Sequence, residues 1–81
     1  MAVPEKFYEA NEELLTNLSE AVRSYRKKES LTQQKLAEKC GFHYKFIQTL
    51  ETKRRNISIS AFVQLAKGMD LSPTHLLKAI L

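Results

Sequence analysis

From His43 to Arg55 the chain reads HYKFIQTLETKRR, a run dense in groups that donate, accept or carry charge at helical spacing. A helix over 44–51 turns Ile47 and Leu50 inward with Phe46 beside them, which leaves His43, Tyr44, Lys45, Gln48 and Thr49 outside. Lys45 and Gln48, three residues apart, share a face. These side chains suit the base edges of a DNA groove: lysine the guanine acceptors, glutamine the adenine edge, a threonine methyl the thymine methyl. Thr52, Lys53, Arg54 and Arg55 follow at once, and consecutive cations there are placed for phosphates, which fix register without reading sequence. Some of these residues have a second reading. His43 stands where a helix cap belongs, Tyr44 could lie against backbone sugars, and Arg55 sits four residues after Glu51, a spacing that suits an ion pair. Phe46 reads mainly as core.

A recognition element of this kind needs a helix to hold it. Thr32 is a good N-cap, and Leu36, Ala37 and Cys40 then share one face of a short second helix. Gly41, directly after Cys40, can take the positive φ that ends it. Gln33 and Gln34 open that helix, where free amides and the dipole favour an anion such as phosphate.

With Gln33, Ala37, Gly41, Ile47 and Leu50 at these spacings, the stretch 32–56 resembles the helix-turn-helix of the lambda- and 434-repressor-like (Cro/C1, XRE-type) family. The likeness continues through Glu51, Arg55, Asn56 and Ser58 into LAKGMDLSPTHLL and covers about 18–81. Within the family, ETKRRNISI is most similar to the ERxxRNxTI run of restriction–modification controller proteins. The resemblance implies an all-α, compact five-helix lambda-repressor-like domain over 1–81. It places Ala37 at the helix crossing and Gln33 at a phosphate. It also implies double-stranded DNA and a second copy of the chain as partners, and admits RNA polymerase as a further one. Where many members have a glycine after the recognition helix, this chain has Lys53 and Arg54, so a non-glycine residue must take that turn, with Asn56 helping to close it.

Ahead of the motif, Leu14, Leu18, Ala21, Val22 and Tyr25 form the stripe of a first helix running to about Glu29. It starts near Pro4 or, after a break, near Asn11, so residues 1–12 are either its extension or an arm. Its basic end, Arg23, Arg26, Lys27 and Lys28, lies near the DNA backbone or is a solvated terminus favoured by the dipole. Behind the motif, Ser58 or Ser60 caps a fourth helix with Ile59, Phe62, Val63, Leu65 and Ala66 inward, ended by Gly68. Ser72 caps a fifth, with Pro73 at its first position. Met69, Leu76, Leu77, Ile80 and Leu81 exceed what a small core obviously needs. They are either that core or a two-fold dimer interface, which would set two recognition helices ~34 Å apart.

Composition supports this frame. In 81 residues, 43% hydrophobic and 27% charged, two glycines and two prolines leave few loops. The net charge of +4 is unevenly spread: residues 1–22 carry −4 and residues 23–81 carry +8. A basic body suits a polyanion partner, though a merely solvated lysine-rich surface has the same charge. The acidic N-terminal stretch lacks the plan of a signal peptide, no apolar run reaches membrane-spanning length, and the sequons at Asn17 and Asn56 read as chance, so a cytoplasmic protein is expected. Cys40 is lone and reads as a small buried hydrophobe.

Enzyme chemistry finds no footing: there is no paired-histidine zinc motif, no glycine-rich phosphate loop and no nucleophile motif, and His43 and His75 lie far apart. Neither a metal, a cofactor nor a small-molecule substrate is expected. The sequence therefore points to a homodimeric transcriptional regulator on a palindromic operator, by resemblance the controller of a restriction–modification operon. A phage-type repressor and a toxin-sequestering antitoxin are the alternatives. A purely structural helical module would keep its partner when Lys45 and Gln48 are changed to alanine.

Overall fold

A computed structural model describes residues 5–52 and 55–81, with side chains from residue 12 onward. Five helices follow in chain order: α1 (Glu5–Lys28), α2 (Gln33–Cys40), α3 (Tyr44–Thr52), α4 (Ile59–Gly68) and α5 (Pro73–Ile80). No strand occurs among the described residues. The backbone of α1 runs unbroken through Asn11, so the stretch from Glu5 extends the first helix. The expected start at Pro4 and the turn at Lys53 and Arg54 lie outside the described residues.

Each later helix starts where a side chain can satisfy a free amide. Thr32 Oγ1 accepts from the Lys35 amide at 3.1 Å, Ser58 Oγ from Ala61 at 3.0 Å and Ser72 Oγ from His75 at 3.1 Å. Ser58, not Ser60, is thus the fourth helix's cap. Gly41 ends α2 at φ 77°, and the Phe42 amide closes back on the Ala37 carbonyl at 2.8 Å.

Gly68 ends α4 as expected, but without a left-handed turn of its own; Asp70, at φ 59°, takes that turn instead. Gly68 is where α4 meets the end of α2. A Cβ there would stand 2.7 Å from Cys40 Cα and 2.3 Å from its Sγ.

The core draws on every helix: Leu18 and Val22 from α1, Leu36, Ala37 and Cys40 from α2, Ile47 and Leu50 from α3, Leu65 and Ala66 from α4, Leu76 and Ile80 from α5. Phe62 packs against it half-buried. Ile59, expected inward, is 82% exposed, because as the first residue of α4 it lies beyond the turn that packs. Asn17 of α1 donates to the Ile80 carbonyl at 3.0 Å, tying the first helix to the last, and Gln64 of α4 donates to the Cys40 carbonyl at 2.8 Å, tying α4 to the end of α2.

Candidate nucleic-acid interface

α3 buries Ile47, Leu50 and Glu51, and its other side holds the residues expected to read bases. His43, Tyr44 and Lys45 are exposed, Gln48 and Thr49 half-buried. The hydroxyl protons of Thr49 and Thr52 are committed within the helix, donating to the carbonyls of Lys45 and Gln48, each at 2.8 Å. What Thr49 offers outward is its methyl and an oxygen lone pair. His43 caps the helix: its Nδ1 accepts from the Lys45 amide at 3.1 Å and its carbonyl from the Phe46 amide at 2.9 Å.

The structure brings the start of α2 up to the start of α3. Thr32, Gln33 and Gln34 line, with Arg26 and Tyr44, an open notch of 430 Å³. Gln33 is not wholly free for an anion, because its Nε2 donates to Glu51 Oε1 at 3.3 Å. Lys53 and Arg54 lie outside the described residues.

Arg55 corrects one expectation. It does not pair with Glu51; its guanidinium sits 4.7 Å above the Phe46 ring, which stacks on Phe42 at 4.3 Å between centroids. The three planes form a pile built on Phe42 and on Phe46 of the first turn of α3, and an arginine so held keeps its donors in a fixed orientation.

Glu51 instead faces inward, at 2% exposure, and belongs to α1. Arg26 donates Nε to Oε2 at 2.7 Å and Nη2 to Oε1 at 2.9 Å, a two-pronged pair, and Nη1 to the Leu31 carbonyl at 3.0 Å. The hydrogen bond to Glu51 is the main reason the Arg26 guanidinium is pushed above its usual range. Ser19 and Arg23 donate to the Glu51 carbonyl. The basic end of α1 is therefore divided: Arg26 is spent inside the fold, while Lys27 and Lys28 remain exposed. Sequence reasoning missed this network, though a signal existed: Glu51 falls four residues after Ile47, on the buried stripe.

The residues expected at a dimer interface also divide. Met69, Leu76 and Ile80 are buried in the chain's own core and are unavailable to a second copy. Leu77 and Leu81 are exposed, at 42% and 81%. With Ile59, Leu77 borders a mainly apolar groove of 290 Å³ that Leu14, Leu15 and Phe62 also line.

Cys40 is buried and its thiol is pushed up by that burial. Among the described residues no group of three or more His, Cys, Asp or Glu could hold a metal ion. No described helix is long and apolar enough to cross a membrane.

Two short helices joined at a left-handed glycine, the second with one face in the core and the other open, define a helix-turn-helix protein. A helix-turn-helix family model matches residues 22–76, and the chain belongs to that family. It is 43% identical over 60 residues to control protein C.SmaI of Serratia marcescens, covering 74% of this chain and 71% of that one. The restriction–modification controller protein C.AhdI from Aeromonas hydrophila superposes with TM-score 0.69 at 27% identity, covering 76% of this chain and 94% of the other. Controller C.Esp1396I, solved as a nucleoprotein complex, superposes with TM-score 0.72 at 29% identity, covering 84% and 94%.

Proposed function

We propose that this chain, a single helix-turn-helix domain over 1–81, is a cytoplasmic transcriptional regulator that binds a palindromic operator as a homodimer and controls a restriction–modification operon. The observation that carries the reading is the outer face of α3, where Tyr44 and Lys45 are exposed and Gln48 and Thr49 half-buried, while the opposite face is locked into the core. These four and His43 read base edges. The start of α2, at Gln33 and Gln34, and the run Thr52–Arg55 hold phosphates on either side. The likeness to controller proteins, one of them described in a nucleoprotein complex, favours this over the repressor and antitoxin readings. The second copy docks on the apolar strip of Ile59, Leu77 and Leu81, in place of the buried residues first expected there. An activating role would bring RNA polymerase to the DNA-bound dimer.

Selection from a random duplex library, repeated across a salt series, tests the proposal. The expected result is an inverted repeat with half-sites about one helical turn apart and a steep fall in affinity with salt. Recovery of no motif, with weak binding that vanishes at moderate salt, would reduce the basic face to a generic polyanion surface.

A further inference from the structure

We propose that His43 is a hydrogen-bond donor of fixed polarity that selects guanine at one position of each half-site, an inference that rests on the DNA-reading function above. Its imidazole accepts the Lys45 amide on Nδ1 at 3.1 Å. A ring nitrogen that accepts carries no proton, so in the neutral ring the proton resides on Nε2. Nε2 is on the far side of the ring from the backbone, and His43 is exposed at the leading end of α3. The cap therefore decides which hydrogen-bonding character points outward: a donor, and never an acceptor.

Capping alone does not call for a ring. The α2, α4 and α5 helices are capped by the hydroxyls of Thr32, Ser58 and Ser72, which end at the capping atom. On α3 the same task falls to a side chain with a second polar atom beyond the cap. Of the neighbouring outward groups, Lys45 is also donor-only but sits on a long flexible stem, and the others are less selective. Gln48 and Tyr44 can donate or accept, and the Thr49 hydroxyl proton is already committed to the Lys45 carbonyl.

In the major groove guanine presents two adjacent acceptors, N7 and O6, whereas adenine sets a donor beside N7, thymine sets a methyl group beside its O4 acceptor, and cytosine presents only its N4 donor. A single rigid donor therefore accepts guanine over the widest range of positions and is repelled by cytosine. A neutral imidazole lacks the charge assistance that makes a strong phosphate contact, which Lys45 and Arg55 supply.

The test has two parts. A long-range proton–nitrogen correlation spectrum of the free full-length protein reads the tautomer directly, and the Nε2–H form is expected; the Nδ1–H form or a rapid mixture overturns the proposal. Library selection is then run with the wild type and with His43→Asn, which keeps a capping oxygen but loses the reach, so its Tm should stay within about 3 °C. The expected result is that a guanine preference at one half-site position falls about 5- to 10-fold while the other positions hold. An unchanged guanine preference in His43→Asn overturns it, since His43 would then be a cap only. A preference insensitive both to 7-deazaguanine, which lacks N7, and to 2-aminopurine, which lacks O6, but abolished by a methylphosphonate also overturns it, in favour of a phosphate contact. A wild type that recovers no half-site removes the DNA-reading function and this inference together; a half-site that His43→Asn leaves unaltered removes this inference alone.

Discussion

A carboxylate at 2% exposure keeps its charge only if neighbouring groups replace the water it has lost, and at Glu51 that replacement is Arg26. Removing one member of such a pair costs more than the pair itself contributes, because the other is left buried without a counter-charge. Glu51→Ala is expected to lower the unfolding free energy by about 3 kcal/mol or more in urea titrations. Arg23, much more exposed, stands 3.9 Å from the Glu51 carboxylate and donates to the Glu51 carbonyl, so its change to alanine should cost about 1 kcal/mol. Equal losses would mean that Arg23 supports Glu51 no less than Arg26 does. Cys40 makes a second residue-scale case. Burial pushes its thiol up, so little thiolate exists near neutral pH and a thiol reagent should react slowly with the folded protein. Reaction at the rate of a free thiol, without denaturant, would contradict the buried placement.

At the scale of elements, two glycines make opposite demands. Gly41 is required by φ 77°, and a Cβ there would meet Gln64 Nε2, the end of a flexible side chain, at 3.0 Å. Gly41→Ala is then a backbone penalty of about 1–2 kcal/mol. Gly68 has no such dihedral, yet its Cβ would overlap the Cys40 backbone, so Gly68→Ala should cost at least about 3 kcal/mol by thermal unfolding. Pairing it with Cys40→Ala should not restore stability, because the Cα clash remains at 2.7 Å. The contrast shows what is legible in a sequence. Gly41 could be read because a helix end leaves a local pattern; Gly68 could not, since a close approach between α2 and α4 has none. Similarly, the outward face of α3 followed from the spacing of Ile47 and Leu50, while the pairing of Glu51 with Arg26, 25 positions earlier, is set by packing that no periodicity encodes. Ile59 was assigned inward by its period and lies outward, because helical phase says which face a residue shares but not where the packed turns begin.

For the whole molecule, the proposed function raises the question of how one small reader would gain affinity for an operator. A single α3 can contact few base pairs, and two copies on one duplex convert the second contact into an intramolecular step worth about 10²–10⁴-fold in avidity. That gain requires a surface left over after the monomer has filled its own core. Helix α5 leaves a surface of the kind the proposed dimer needs, because its neighbouring leucines differ: Leu76 is buried and Leu77 is 42% exposed. Charge at these two positions should therefore have different consequences. Leu76→Lys would place an unpaired cation in the core and abolish cooperative folding. Leu77→Lys should leave the helical spectrum intact, give a monomer in sedimentation, and remove the dependence of Tm on protein concentration. On DNA the same variant should lose about 10²-fold or more on the full palindrome while its affinity for an isolated half-site stays near the wild-type value. A Leu77→Lys protein that remained a dimer would move the interface away from Ile59, Leu77 and Leu81. One that became monomeric yet bound the palindrome with undiminished affinity would mean that each copy reads its half-site alone.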